Sequence, residues 1–341
     1  MAPKQVNASL FVALFVAPFV ALFVSVLFAC TRLPGELPSE IKILLAPGPV
    51  TVSGSPPARL FEAGRYATGD VISIDTVTFR PARAPRTMSA PDSDAGLPRF
   101  AIVTTYQGTR HHAETIRALS EDTVALAGAA GALTREAASR GALTLLIDAQ
   151  GLSASDLRNF VAFVRALSDS SRRKIPDGTA LIIPPGDTVA YPTAVLARVV
   201  PMLVLRLYGE HRPGTAPGPL ASVEWINRQV GLRAVAIGVN RLTAELPLFG
   251  YLWQRDSAAR PISFVDAQRL VAAEAGSFRR DQPSGFLAYR GSTGWSVWVP
   301  DAQTVDRMIA TIRRAGISRV LLSGVDGADP DLWARLPPIR R

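Results

Sequence analysis

Four side chains that can hold or transfer a proton, or form hydrogen bonds, stand just beyond two apolar runs. Asp148 and Gln150 follow one run, and Tyr208 and Glu210 follow another. A carboxyl group can act as an acid or a base when its pKa lies near the working pH. The amide of Gln150 forms hydrogen bonds but has no acidic proton to transfer. The two stretches therefore offer acid–base chemistry at Asp148 or Glu210 and hydrogen bonding at Gln150 and Tyr208.

Short apolar runs rich in valine, isoleucine and leucine recur along the chain and must position these side chains. Runs that are apolar on both faces are typical of parallel strands covered by helices. The predicted strands are Ile41–Ala46, Val71–Phe79, Phe100–Tyr106, Leu143–Asp148, Ala180–Pro184, Met202–Tyr208, Ala234–Val239 and Val320–Ser323.

Helical periodicity fills most of the gaps between these runs. Ser153 and Asp156 predict a capping box at the start of a helix over Asp156–Leu167. The other predicted helices are His111–Ser139, Tyr191–Val199, Ser222–Val230, Phe264–Ala275 and Ala302–Ala315. This alternation predicts an α/β fold, a (β/α)8 TIM barrel, with a doubly wound open sheet as the alternative. In a barrel, Asp148 would stand at the carboxyl end of a strand, on the functional face.

Two segments depart from the alternation of strands and helices. Arg80–Arg99 is rich in proline, alanine and serine, which predicts a loop. Phe286–Tyr289 and Trp295–Val299 flank a glycine-rich turn. They predict a small hairpin inserted before the last strand.

Several stretches from about residue 100 to 336 resemble glycoside hydrolase family 18, the chitinase-type barrels. They are most similar to the branch that attacks bacterial wall and spore-cortex glycans. The stretches occur in the family's order and are Tyr208-Gly-Glu-His211, Gly218-Pro-Leu-Ala-Ser-Val-Glu-Trp225, Leu246-Pro-Leu-Phe-Gly-Tyr-Leu-Trp253, Val297-Trp-Val-Pro-Asp301 and Asp329-Pro-Asp-Leu-Trp333.

The segment Leu143-Thr-Leu-Leu-Ile-Asp-Ala-Gln150 occupies the place of the family's strand-four signature, Asp-Gly-x-Asp-x-Asp-x-Glu. Asp148 matches the last aspartate. Leu143, Thr144 and Leu146 replace the earlier Asp, Gly and Asp. Gln150 stands where the family has its proton-donating glutamate, so the motif is degenerate at the acid itself.

The resemblance implies a substrate-assisted reaction, in which the sugar's own N-acetyl oxygen attacks and one glutamic acid protonates the leaving oxygen. Asp148 and Tyr208 resemble the pair that holds the acetamido group. Gly209 replaces the aspartate after that tyrosine, and Ser323 replaces a tryptophan that forms the floor of the sugar site. Further sugar contacts are expected from the aromatic side chains of Tyr251, Trp253 and Trp298.

Three functions remain open at this point. The first is an N-acetylated glycan binder, for chitin or peptidoglycan, that has lost hydrolysis because Gln150 replaces the acid. The second is an active glycoside hydrolase with Glu210 as an atypical proton donor. The third is a structural lipoprotein whose barrel binds a protein partner.

The first thirty residues predict export and membrane attachment. Lys4 precedes an apolar run that ends at Ala29-Cys30, which resembles the lipobox of bacterial lipoproteins. We expect a signal peptide at 1–29, a lipidated Cys30 with a linker over 30–40, and the barrel over 41–341. An uncleaved membrane anchor is the alternative. Lipidation would place the protein in the cell envelope.

Composition excludes several other classes of function. The formal charge is +9 and the chain has one cysteine and three histidines, so neither a disulfide framework nor a Cys-rich zinc site is expected. The basic residues are almost all arginine and form no stripe with interleaved aromatics, which argues against nucleic-acid binding. No phosphate-binding glycine loop occurs, and we expect no cofactor, no metal and a monomer.

Overall fold

The structure is a computed structural model that describes residues 42–46, 67–82, 99–107, 110–255 and 257–336. The predicted signal peptide, Cys30 and the linker lie outside the described residues, as does most of the loop predicted before Arg99. Over the described ranges, no helix combines the length and apolar character needed to cross a bilayer.

Eight parallel strands close into a barrel, which confirms the predicted (β/α)8 fold and excludes the open sheet. The strands of the described chain are β1 (Lys42–Ala46), β2 (Ala67–Ser73), β3 (Arg99–Thr104), β4 (Tyr106–Gln107), β5 (Arg110–His111), β6 (Ala142–Asp148), β7 (Thr179–Ile183), β8 (Met202–Arg206), β9 (Leu242–Pro247), β10 (Phe249–Gln254), β11 (Ser257–Ser263), β12 (Arg279–Arg280), β13 (Leu287–Arg290), β14 (Ser296–Val299) and β15 (Arg319–Ser323). Around the barrel the order is β1, β2, β3, β6, β7, β8, β9 and β15, which pairs again with β1.

Eight α-helices occur in the described residues, and most of them cover the outside of the barrel. They are α1 (Ala113–Glu121), α2 (Thr123–Ser139), α3 (Leu157–Ser171), α4 (Thr193–Leu196), α5 (Val223–Ile237), α6 (Phe264–Ala273), α7 (Ala302–Arg314) and α8 (Leu332–Arg335). The capping box predicted before α3 is present, because Ser153 and Asp156 exchange side-chain and backbone hydrogen bonds. Arg117 adds an ion pair to Asp156 at 2.6 Å, which ties α1 to the start of α3.

Alternate residues of the strands divide between two cores, as the two-residue period of a strand requires. Inward-facing side chains, among them Ile102, Leu146, Ile182, Val204 and Leu321, fill the barrel interior. Their strand neighbours pack outward against the helices. Parity therefore fixes which polar side chains near the strand ends point into the barrel mouth.

The predicted seventh strand, Ala234–Val239, is wrong. Residues 234–237 form the end of α5, which stops at Gly238, where φ is 77°. The seventh strand is β9, Leu242–Pro247, which pairs with β8 and β15. A short apolar run does not by itself distinguish a helix end from a strand. Val235 lies on the solvent side of α5, 91% exposed.

The inserted hairpin is confirmed, but it belongs to a larger unit than the sequence predicted. β13 and β14 pair in antiparallel fashion within a five-stranded sheet ordered β11, β10, β14, β13, β12. One face of this sheet packs on α6. A Cβ atom at Gly250 would lie 1.9 Å from the carbonyl oxygen of Trp298, so only glycine permits this close approach of β10 to β14.

The predicted helix His111–Ser139 is broken in the structure. Residues 106–107 and 110–111 pair as a short hairpin. Asp122 then interrupts the helix, since its side chain accepts the backbone N–H groups of Val124 and Ala125 as the N-cap of α2. The predicted strand Val71–Phe79 is likewise shorter at its end, because β2 stops at Ser73 and a turn follows.

Candidate functional site

A polar layer lies above the apolar interior at the carboxyl ends of the barrel strands. Asp148, Arg206, Glu245 and Ser323 continue the inward-facing parity of Leu146, Val204, Thr243 and Leu321. The side chains of Asp148, Arg206 and Glu245 are only 12%, 15% and 3% exposed. Buried charges are tolerated only when they are paired and hydrogen-bonded, so their contacts determine what the site can do.

Asp148, which the sequence predicts as a site residue, lies at the centre of this layer. Its Oδ2 lies 3.1 Å from Nη2 of Arg206 and 3.9 Å from Nε2 of His111. Burial raises the pKa of Asp148, but the charge of Arg206 and the hydrogen bonds from Arg206 and Gln150 outweigh it and hold that pKa below its ordinary value. Asp148 is therefore an ionised acceptor and a poor proton donor.

Gln150 points toward Asp148. Its Nε2 donates to Oδ1 of Asp148 at 3.0 Å and to the main-chain carbonyl oxygen of Ile182 at 3.3 Å. Because both neighbours are hydrogen-bond acceptors, the side-chain atom of Gln150 that faces them must be the amide nitrogen and not the amide oxygen. Both N–H bonds of Gln150 are thus occupied, and the amide oxygen is the atom left for a ligand.

Arg206 bridges two carboxylates across the mouth. Its Nε lies 2.9 Å from Oε2 of Glu245, and its Nη2 reaches both Asp148 and Glu245. Burial would lower the pKa of Arg206, but the negative charges of Asp148 and Glu245 raise it well above its ordinary value. Arg206 remains charged and bridges the two carboxylates with charge-assisted hydrogen bonds.

Tyr208 lies beside this bridge. Its hydroxyl group donates to Oε1 of Glu245 at 2.9 Å, and Ser323 donates to the same oxygen at 2.7 Å. The Arg206 guanidinium carbon lies 5.2 Å from the centre of the Tyr208 ring. Burial raises the pKa of Tyr208 well above its ordinary value, so the phenol keeps its proton. Tyr208 and Ser323 are positioned by Glu245 rather than free.

Glu210 does not share this layer's contacts. Its two carboxylate oxygens accept the backbone N–H of Ser222 at 2.6 Å and the Ser222 hydroxyl at 2.9 Å. Ser222 is in turn the N-cap of α5. This geometry fixes Glu210 at the start of a helix, which does not suit the predicted role of an alternative proton donor.

The inserted sheet presents aromatic side chains on the face opposite α6. Tyr251 and Trp298 are cross-strand partners and are partly exposed. Burial raises the pKa of Tyr251, on which Arg206 exerts a smaller opposing effect. Trp253 also lies on this face, but it is only 8% exposed and its indole N–H donates to the carbonyl of Thr215 at 3.1 Å. The expectation that Trp253 stacks on a sugar does not fit this burial.

A buried tyrosine holds the segment that carries Gln150. The Tyr191 hydroxyl donates to the carbonyl of Ala149 at 3.0 Å and accepts the N–H of Leu152 at 3.2 Å. These two bonds bracket Gln150 and Gly151. The buried Arg233 holds the backbone of Tyr191, because its Nη1 donates a hydrogen bond to the Tyr191 carbonyl oxygen at 2.6 Å.

Sequence reasoning missed Arg206, Glu245 and the placement of His111. The sequence predicts His111 only as the start of a helix, but its side chain is 17% exposed beside Asp148, and burial lowers its pKa despite the opposing charge of Asp148. The two-residue period through Val204 could have placed Arg206 inward. Glu245 was not predicted because the sequence favours a strand at Ala234–Val239, whereas the strand that carries Glu245 is Leu242–Pro247.

The described residues contain no group of three or more histidine, cysteine, aspartate or glutamate side chains arranged to hold a metal ion. The side chains at the mouth offer ion pairs, hydrogen bonds and aromatic surface.

Comparisons with known proteins agree with this architecture. No family model matches the chain. A Bacillus subtilis protein, YdhD, named as a sporulation-specific glycosylase, is 26% identical over 189 residues. The match covers 51% of this chain and only 44% of that relative's length.

Solved structures with the same fold include chitinases. A Chromobacterium violaceum chitinase superposes with a TM-score of 0.71 at 19% identity, over 86% of this chain and 97% of that one. A class V chitinase from Nicotiana tobaccum, carrying one Glu-to-Gln substitution and in complex with NAG4, gives 0.69 at 13% identity, over 87% and 97%. The predicted resemblance to chitinase-like barrels is confirmed at the level of the fold.

Proposed function

We propose that this protein binds an extracellular N-acetylated glycan of the chitin or peptidoglycan type at the barrel mouth, with little or no hydrolysis. The observation that carries the proposal is the pairing of Gln150 with Asp148. The position that resembles the family's acid holds an amide, while Asp148 and Tyr208, which resemble the acetamido-holding pair, remain.

We expect hydrolysis to be lost because of what the candidate proton donors at the mouth are bound to. Gln150 has no proton to transfer, and its N–H bonds are taken by Asp148 and Ile182. Asp148 and Glu245 are each paired with Arg206, and Glu210 is bound to Ser222. General acid catalysis typically contributes about 10²–10⁴-fold, so hydrolysis without a donor would be at most a trace.

Binding is supported by the groups that face the mouth. The ionised Asp148 can accept the N–H of an acetamido group, and the amide oxygen of Gln150 can accept a sugar hydroxyl. Tyr251 and Trp298 offer partly exposed rings for the apolar face of a sugar. The tobacco chitinase carrying a Glu-to-Gln substitution is in complex with NAG4, which supports binding by a barrel of this kind.

The polar mouth also bears on the rival roles. A protein-binding scaffold would be expected to present an apolar mouth, whereas this one presents Asp148, Arg206, Glu245 and Ser323. A hydrolase that uses Glu210 would need that carboxylate to leave Ser222.

Location remains part of the proposal. The apolar leader and Cys30 support export and lipidation, which would hold a monomeric barrel in the cell envelope near the polymer. Such tethering raises the effective concentration of the binding site beside its ligand.

The test measures binding and cleavage separately. Purified full-length chain is titrated calorimetrically with N-acetylated chitin oligomers and muropeptides, and reducing ends are assayed in parallel. We expect binding without release of reducing ends. Asp148→Asn should weaken binding at least about ten-fold, since a hydrogen bond to a charged group contributes about 1.5–3 kcal/mol.

The matched control is Asp266→Asn, which makes the same chemical change where Asp266 contacts Ser263 and Arg269 on α6. It should leave binding unchanged. No binding to either polymer would reject the proposal. Rapid cleavage abolished by Glu210→Gln would establish the hydrolase instead.

A further inference from the structure

The face of the barrel opposite the mouth is strongly basic. All barrel strands are parallel, so the strand starts and the ends of α2, α3, α4, α5 and α7 meet on this face. We define the basic face as residues 136–142, 168–179, 193–202, 234–242 and 311–319 with the starts of β1, β2 and β3. It carries eleven basic and three acidic side chains, an excess of eight positive charges.

Internal pairing leaves most of this charge uncompensated. Glu136 pairs with Arg140 and Asp169 with Arg172, which removes two of the three acids. Within the described chain, the exposed side chains of Lys42, Arg173, Lys174 and Arg198 make no hydrogen bond or ion pair.

Hydrogen bonds to carbonyl groups at helix ends explain only some of the basic side chains on this face. Arg241 donates to the carbonyls of Pro201 at 3.1 Å and Val200 at 2.8 Å, and Arg319 donates to the carbonyl of Asn240. Such contacts satisfy carbonyls at helix ends. In the described structure, the exposed Arg173 and Lys174 donate to no such carbonyl and pair with no carboxylate, so their charge is available to a partner.

The mouth has the opposite charge. The segments that lead from the barrel strands other than β9 to the helices, at 73–82, 104–107, 110–116, 148–160, 183–193, 206–226 and 323–331, carry ten acidic and five basic side chains, and the described residues of 248–263 after β9 add two basic ones. Charge is therefore segregated along the barrel axis. A composition bias toward arginine would raise the net charge of both faces and does not explain this polarity.

The first barrel strand begins on the basic face. β1 starts at Lys42, whose exposed side chain adds to the positive charge of this face.

We propose that the basic face docks on anionic lipid headgroups and thereby directs the mouth away from the membrane. This rests on the membrane tether in the proposed function but not on glycan binding. Each basic residue near an anionic surface strengthens attraction about five-fold, and the effect falls off within a Debye length of about 8–10 Å. The docking is therefore sensitive to salt.

The test uses the full chain reconstituted in vesicles, because the leader alone would bring any variant to the lipid. Hydrogen–deuterium exchange is measured for 168–179 and 311–319 on the basic face and for 206–226 at the mouth. We expect protection of the basic face in vesicles that contain phosphatidylglycerol. The protection should be lost in pure phosphatidylcholine and at high salt, and the mouth should exchange freely throughout.

A combined variant with Arg172, Arg173, Lys174 and Arg314 changed to glutamine should lose this protection. The matched control changes the exposed Arg255, Arg260, Arg269 and Arg290 of the inserted sheet and α6 to glutamine, with the same loss of charge, and should keep it. Binding of chitin oligomers, measured on the same samples, should survive in the basic-face variant.

Three results would overturn the proposal. These are equal protection in neutral vesicles, protection of the mouth instead of the basic face, or protection by added DNA but not by anionic lipid. A failure of glycan binding with intact lipid-dependent protection would count against the glycan proposal alone.

Discussion

The amide nitrogen of Gln150 donates a hydrogen bond to the carboxylate of Asp148 over 3.0 Å. A carboxylic acid at position 150 could occupy the same place only by contributing a proton, because two ionised carboxylates at this distance repel strongly. The amide reproduces the hydrogen bond of a protonated acid without its acidity. Position 150 thus holds a hydrogen-bond donor that has no acidic proton to transfer.

Gln150→Glu should give the site a proton donor. Asp148 is held ionised by Arg206, so repulsion would raise the pKa of the introduced carboxyl and keep it protonated near neutral pH. We expect slow but measurable cleavage of chitin oligomers, detected by mass spectrometry of the products. Leu146 and Gly209 replace two further acids of the family pattern, so the rate should stay far below that of a chitinase.

The control for this substitution is Gln150→Leu, which removes the amide without adding an acid. It should show no cleavage. Cleavage by the unaltered protein at the rate of the glutamate variant would contradict the role assigned to Gln150.

Asp148→Asn should destabilise the fold in a pH-dependent way. The folded pKa of Asp148 lies below its unfolded value of about 3.9, so its stabilisation is present above that pH and is lost as pH falls through the folded pKa. We expect the free energy of unfolding at pH 7 to fall by about 1–3 kcal/mol, because Arg206 loses one of its two partners.

Urea denaturation at several pH values measures this effect. The difference between Asp148→Asn and the unaltered protein should shrink below about pH 4. Asp169→Asn, which affects an exposed ion pair on α3, should show little change. A difference independent of pH would show that the Asp148 charge is not what stabilises the mouth.

The position of Asp148 at the end of a strand could be predicted for two reasons. A buried apolar run leads directly to it, and the segment 143–150 resembles the strand-four signature of family 18. Glu245 could not be found in the same way. Its strand, Leu242–Pro247, contains inward-facing Thr243 and Glu245, and the apolar end of α5 just before it looks more like a strand. Which partner a buried polar group takes depends on strands distant in sequence, so the Arg206 bridge is visible only in three dimensions.

Glu245→Leu should cost more stability than any other single change in the mouth. Arg206, Tyr208 and Ser323 all donate to this carboxylate, and the substitution would leave three buried donors without it. We expect a loss of about 3–5 kcal/mol, measured by urea denaturation. Ser323→Ala removes one neutral donor and should cost about 1 kcal/mol. Equal losses would mean that Glu245 is not the common acceptor.

Tyr191→Phe should weaken glycan binding although Tyr191 lies beneath the mouth. Its hydroxyl joins the carbonyl of Ala149 to the N–H of Leu152, and without it the backbone around Gln150 loses both bonds. We expect a several-fold rise in Kd by calorimetry and a loss of about 1–3 kcal/mol of stability. Tyr289→Phe removes a hydroxyl bonded to Glu274 in the inserted unit and should leave Kd unchanged. Unchanged affinity in Tyr191→Phe would show that Gln150 keeps its place without this clamp.

Trp298 and Trp295 lie on opposite faces of the inserted sheet and so test which face contacts sugar. Trp298 is partly exposed and packs toward the barrel beside its partner Tyr251. Trp295 packs on the α6 side of the same sheet, where its indole N–H donates to Glu274 at 3.0 Å. If the barrel-facing side of the sheet holds sugar, Trp298→Ala should raise the Kd for chitin oligomers about ten-fold or more through lost apolar contact. Trp295→Ala should lower stability and leave affinity unchanged. A larger loss of affinity in Trp295→Ala would place the glycan on the other face of the inserted sheet and separate it from Asp148 and Gln150.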